Sequence, residues 1–128
     1  MSAMSDYLEN EILDHILGTG AYTMPTTVYV GLSTASFNDD NSGTELTGNN
    51  YARESAAFTA AASGTTSNSA AVEFNAATGS WGLVSHFGIF DAASSGNLLI
   101  HGAFTTAKTI ASGDILKIPT GDLDITAA

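Results

Sequence analysis

The sequence predicts a mainly β fold, an antiparallel β-sandwich or jelly-roll-like domain with one N-terminal amphipathic α-helix. Three observations carry this. Only one segment repeats its apolar residues at helical spacing, the other apolar residues fall in short runs rich in β-branched and aromatic side chains, and clusters of Gly, Asn, Asp and Ser separate those runs. Strands that do not alternate with helices pair antiparallel and pack sheet on sheet. The 128 residues fit one domain, 1–128, with the helix over 5–18 and the β-sandwich over 26–128.

The helix begins at Ser5 or Asp6, either of which can cap it, and Glu9 stands three residues after Asp6 in capping-box spacing. Leu8, Ile12 and Ile16 recur every fourth residue, with Leu13 and Leu17 beside them. Gly18 or Gly20 can end the helix in a left-handed conformation. After Pro25 the alternation of Val28, Val30 and Leu32 against Tyr29, Gly31 and Ser33 predicts a half-buried strand over 26–34. The polar stretch 35–50 is a long loop, and 51–59 a second strand with Phe58 inward and Arg53 and Glu54 on opposite faces. Residues 60–69 are all small or polar and read as loop; 71–75 carry Val72 and Phe74 on a short strand. The segment 81–104, WGLVSHFGIFDAASSGNLLIHGAF, is the central hairpin, with strands 84–90 and 98–104 around a turn over 91–97. Both of its faces carry apolar side chains, so it should be covered on both sides. Leu83, Phe87 and Ile89 are predicted to point together into the densest core, with Val84, His86 and Phe90 opposite. Short strands at 115–118 and 123–126 bring the expected total to seven.

Composition excludes several functions. Thirteen acidic residues against three basic ones, Arg53, Lys108 and Lys117, give a net charge of −10, which repels phosphate backbones, so no nucleic-acid partner is expected. The chain has no cysteine, hence no disulfide and no thiolate ligand. The first residues lack the basic start and apolar core of a signal peptide, and no apolar run approaches the ~20 residues of a membrane span; neither leader nor membrane association is expected.

Catalytic and metal chemistry find little support. His86 and His101 fall nearly opposite one another if the hairpin turns about Ser94, but a third ligand is missing, since Asp91 belongs to the other alternation from His86. They read as a structural pair, and His15 as a surface or interface residue. Asp39, Asp40, Asn41 and Glu45, with Gly43 for a sharp turn, resemble a calcium loop in composition without EF-hand spacing, and read as a solvated acidic loop. No nucleophile elbow, phosphate-binding Gly-rich loop or zinc-protease motif is present. The expectation is no enzyme, no catalytic residue, no metal and no cofactor.

Read together, YLENEILDHILG (7–18), AYTMPTTVYVGLST (21–34), the acidic loop, GNNYARESAAF (48–58), the central hairpin and GDILKIPTGDLDIT (113–126) resemble a family of small tailed-bacteriophage virion proteins described as tail-fibre or minor structural proteins. The resemblance spans almost the full length and implies a non-enzymatic virion component, assembled in the host cytoplasm. Compactness and the lack of repeats or a coiled-coil shaft favour a capsid decoration or cement protein whose partners are the major capsid protein and copies of itself, by analogy as a trimer. A tail-fibre or baseplate component is the alternative. A glycan-binding sandwich is a third, motivated by Tyr22, Tyr29, Tyr51 and Trp81. Leu8, Ile12 and Ile16 on the helix stripe, with Tyr51, are the candidate contacts to a neighbouring subunit or the capsid.

Overall fold

In the computed structural model, which describes residues 2–127, three antiparallel sheets share the chain. The strands are β1 (Ser2–Met4), β2 (Val28–Ser33), β3 (Glu54–Ala56), β4 (Thr65–Ser67), β5 (Val72–Glu73), β6 (Gly82–Phe90), β7 (Leu98–Ile110), β8 (Lys117–Ile118) and β9 (Asp124–Thr126); the helix α1 spans Asp6–Ile16. A five-stranded sheet runs in the order β1-β7-β6-β2-β3, and β4-β9 and β5-β8 form two-stranded ribbons. The protein is mainly β, antiparallel and sandwich-like, with its one helix at the N-terminal end.

The central hairpin is the spine of the large sheet. Val30 and Leu32 pair with Ile89 and Phe87 across β2 and β6, and all four point to one face, each 3 % exposed or less. There they meet Val72, Phe74, Leu116, Ile118, Leu123 and Ile125 from the ribbons in a single apolar cluster. The opposite face is covered too. Gly31 and Gly88 are register partners on it, and Phe37 from the 34–53 loop packs there edge-on to Phe90 at 5.6 Å between ring centroids. Strand β6 is thus buried on both sides from Phe87 to Phe90, as its two-sided apolar pattern predicts. Strand β2 is more buried than its alternation implies: Gly31 and Ser33 also lie inside, because the loop folds over them and the Ser33 hydroxyl donates to the Thr44 carbonyl at 2.6 Å.

Several boundaries differ from the sequence reading. Leu83 does not join Phe87 and Ile89; it is 53 % exposed and Val84, 1 % exposed, takes its place. The cause is a bulge: β6 advances from Val84 to His86 while β7 goes from Lys108 back to Ala103, so strict alternation fails between residues 84 and 87. Strand β7 continues to Ile110 rather than stopping at Phe104, and the 51–59 strand is ordered as β only at Glu54–Ala56. Residues 60–69 are not simply loop. Ser63 and Gly64, at φ 53° and 75°, make a two-residue turn closed by mutual Ala62–Thr65 backbone bonds, which launches β4 towards β9. With β1, this brings the strands among the described residues to nine, not seven.

Helix α1 is capped by Ser5, whose hydroxyl accepts from the Leu8 N–H at 3.2 Å, so the Asp6–Glu9 capping box does not form. The same hydroxyl donates to the Leu98 carbonyl, and the Ser5 N–H donates to Leu99 O at 2.8 Å, which pins the helix start to β7. At the other end Gly18 adopts φ 80° and the Thr19 N–H reaches Asp14 O at 2.9 Å, a left-handed stop of the expected kind.

Candidate functional site

The polar residues that could have formed a site are mostly used within the fold. Arg53, 8 % exposed at its side chain, makes a bidentate pair with Glu45 at 2.8 and 2.9 Å. Its second terminal nitrogen donates to the Ala92 and Ser95 carbonyls of the hairpin turn at 2.9 and 2.8 Å. The guanidinium carbon lies 3.6 Å from the centroid of the Phe90 ring. Glu45 also accepts from the Tyr51 hydroxyl at 2.5 Å, and that hydroxyl accepts in turn from the Leu32 N–H at 2.9 Å. Since β3 pairs only with residues 28–30 of β2, Tyr51 and the Leu46 N–H, which donates to Leu32 O at 3.0 Å, satisfy the edge that β3 leaves open. Burial first, and then the Glu45 carboxylate, push the Tyr51 phenol far above its ordinary range, so it stays a neutral donor.

This network corrects the reading of the acidic loop as solvated throughout: Glu45 is turned inward. The other acids of the loop disperse. Asp40 is held below the usual carboxylate range by hydrogen bonding with the Ser42 side chain first and then by the Ser42 N–H, from which it accepts at 3.0 Å, and Asp39 meets His101 Nε2 at 2.7 Å. Gly43 is needed for close approach: a Cβ there would stand 2.3 Å from the Ser36 carbonyl oxygen.

The two hairpin histidines are not opposite one another. Bulges shift the register so that His86 faces Ala103 and His101 faces Gly88; His86 Nδ1 instead contacts the Ser85 hydroxyl at 2.7 Å. Asp91 bonds the Asn97 backbone and side chain across the turn at 2.7 and 3.0 Å. His15 accepts from the Tyr22 N–H at 3.1 Å, folding the segment after the helix back upon it. Among the described residues, no three His, Asp or Glu side chains gather closely enough to hold a metal ion.

The candidate contact residues separate into two kinds. Leu8 is 7 % exposed, buried on a helix that lies against β7 of the same chain, and Tyr51 is tied into the Arg53 network with its ring edge-on to Trp81 at 5.5 Å. Ile12 is half-buried. Ile16 is 70 % exposed, flanked by Leu13 at 56 % and Leu17 at 72 %. Of the four aromatic residues that suggested a glycan platform, Trp81 is buried with its indole N–H on Asn49 O at 3.0 Å, and Tyr22 and Tyr29 are half-buried. Sequence reasoning did not anticipate Asn68, 1 % exposed, whose amide donates to Ala70 O and Pro119 O at 2.9 Å and accepts from the Leu123 N–H at 2.9 Å.

A sandwich-like β domain that turns its one arginine, Glu45, Tyr51 and Trp81 inward, and whose helix leaves an apolar strip outward, has the character of a structural module. The family model described as podophage GP4 fiber I protein gp80 matches residues 3–126, and the chain belongs to that family, a phage fibre structural protein and a virion component. No curated protein matches the chain. Among the described residues no helix is long and apolar enough to cross a membrane.

Proposed function

We propose that the protein is a non-enzymatic building block of a phage tail fibre, present in several copies that contact one another in the assembled virion. The observation that carries this is the family match over residues 3–126. It favours the fibre position over capsid decoration, the place that compactness and the lack of repeats or a coiled-coil shaft suggested. The inward-turned network of Arg53, Glu45 and Tyr51 supports a structural role, because it spends the chain's one arginine on holding a loop, a turn and a sheet edge together. The strip of Leu13, Ile16 and Leu17 supports contact with another protein surface, since contiguous exposed apolar side chains mark such sites. Self-association is expected as a trimer, assembled in the host cytoplasm, with no cofactor and no nucleic-acid partner.

Copy number per virion tests the assignment. Quantitative mass spectrometry of purified particles should find few copies, as expected of tail appendages; hundreds of copies, together with density on the shell, would return the protein to the major capsid protein as a decoration subunit. Binding of the isolated protein to a glycan array would point to the sugar-binding alternative, with Tyr22 and Tyr29 as its half-exposed aromatics.

A further inference from the structure

With Arg53 committed to Glu45, the other two of the chain's three Lys and Arg residues are Lys108 and Lys117, and both line one groove. The groove holds about 430 Å3 between the far half of β7 and the β8–β9 segment. Half-buried Phe104 gives it an apolar wall, to which the core residues Leu116 and Ile118, each 5 % exposed, add only their edges, and Asp122 and Asp124 also line it. Among the described residues neither lysine lies within 4.0 Å of a carboxylate. The groove is therefore neutral by formal charge in a chain of net charge −10, and it offers two cations without ion-pair partners among the described residues. Two lysines beside two aspartates are too few to hold a polyanion, so the fitting occupant is a short acidic and apolar segment.

The chain supplies such a segment itself. On α1, at ~3.6 residues per turn, Asp6, Glu9, Leu13, Ile16 and Leu17 fall within about a third of the circumference. All five are exposed. The helix cannot fill the groove of its own chain. Its start is bonded to Leu98 and Leu99 at one end of β7, and the groove begins at Phe104 and reaches Lys108, roughly 20 to 30 Å along a strand rising ~3.3 Å per residue.

We propose that the acidic, apolar face of α1 docks in the Lys108–Lys117 groove of a second copy, head to tail. Asp6 and Glu9 pair with the two lysines while Leu13, Ile16 and Leu17 cover the apolar wall. A contact between two different surfaces closes into a ring when its rotation allows. The inference rests on the self-association proposed above and names its surfaces.

Light scattering on the full chain after size exclusion tests it. The wild-type protein is expected to be oligomeric, and increasingly monomeric as salt rises, because exposed ion pairs are screened. A helix variant, Leu13→Asp with Ile16→Asp, and a groove variant, Lys108→Glu with Lys117→Glu, should each run as folded monomers by far-UV circular dichroism. Mixed in equal amounts they should form a heterodimer, since one intact groove then meets one intact helix. If the aspartate variant loses helix signal, Glu9→Lys replaces it; this change keeps the apolar strip, and the groove variant should rescue it by charge exchange. An oligomer that persists in both variants, or monomeric variants that fail to complement, overturns the pairing while leaving self-association intact. A wild-type protein that stays monomeric at high micromolar concentration overturns both.

Discussion

Arg53 joins three parts of the chain that are distant in sequence: the 34–53 loop through Glu45, the hairpin turn through Ala92 and Ser95, and the sheet through Phe90. Removing one member of a well-buried pair leaves the other charge without its partner, which typically costs 3 to 5 kcal/mol. Glu45 keeps 22 % side-chain exposure, so Arg53→Ala is expected at the lower end of that range, about 3 kcal/mol, and Arg53→Ala with Glu45→Ala should cost less than the sum of the two single changes. Denaturant titration of the double-mutant cycle checks this; strict additivity would mean the pair contributes nothing. The core gives a second contrast. Phe87→Ala should cost on the order of 3 to 5 kcal/mol through the cavity it opens, whereas Leu83→Ala, at a half-exposed site, should change stability by less than about 0.5 kcal/mol. Equal effects would contradict the bulge that turns Leu83 outward. Glu54 allows a pH test. Burial raises its carboxyl pKa, so the folded state prefers the protonated form; that contribution is present below the ordinary glutamate range and is lost as pH rises through the raised folded value. Glu54→Gln, which mimics the protonated group, should raise Tm at neutral pH and lose its advantage in acid. At this scale the sequence was legible where apolar identity decided the outcome, as at Phe87, Ile89 and Val30. It was not legible for His86 and His101, because a turn taken as symmetric about Ser94 ignores the bulges that set the real register. Glu45 looked solvated because its partner lies eight residues away, although the only arginine in so acidic a chain was a signal that could have been followed.

Elements followed from sequence when they carried their own side-chain signal and failed to when pairing made them. The hairpin, the capped helix and its Gly18 stop, β2 and the strand at Val72 were legible in that sense. Strand β1, Ser-Ala-Met, becomes β only by docking on Ile100, His101 and Gly102 of β7. Strand β4 likewise consists of Thr65, Thr66 and Ser67, with no core-forming residue; its one cue was the Ser63–Gly64 dipeptide, a turn signal that the surrounding small residues made easy to pass over. The facing glycines of β2 and β6 show the reverse, in which an absent side chain shapes the element. A Cβ on Gly31 would stand 2.8 Å from a Glu45 carboxylate oxygen and 2.9 Å from the Phe90 ring; one on Gly88 would stand 2.9 Å from both Leu98 and Phe90. Gly31→Ala and Gly88→Ala should therefore each destabilise by about 1 to 3 kcal/mol, as overpacking of a filled core does. Gly20, where a Cβ would meet only the Asp14 Cβ at 3.7 Å, serves as the control and should tolerate Ala. If thermal melts show the Gly31 and Gly88 variants as mild as Gly20→Ala, the loop over that face does not pack as closely as these distances require.

At the scale of the whole molecule the question is whether the large sheet and the two ribbons unfold together. The ribbons are too small to stand alone, since an isolated two-stranded hairpin is marginal in water. Here they share one apolar cluster with the sheet, and polar bonds stitch the seams: Asn68 ties the β4–β5 segment to the turn before β9, and the Ser2 hydroxyl accepts from the Thr126 N–H at 3.0 Å, joining β1 to β9. Trp81, the single tryptophan, sits within that cluster and bonds Asn49 O, so its emission reports the junction of sheet and loop. Far-UV circular dichroism reports all the strands at once. The two probes should give coincident urea transitions at any one protein concentration, which is held fixed because association shifts apparent stability. Asn68→Ala should move both midpoints together, by the roughly 1 to 3 kcal/mol that buried groups left without partners cost, because Leu123 N–H and Pro119 O lose their shared amide. A dichroism transition that begins before tryptophan emission changes would show the ribbons peeling away first, and an Asn68→Ala variant that widened the gap between the probes would place that failure at the seam between β4, β5 and β9.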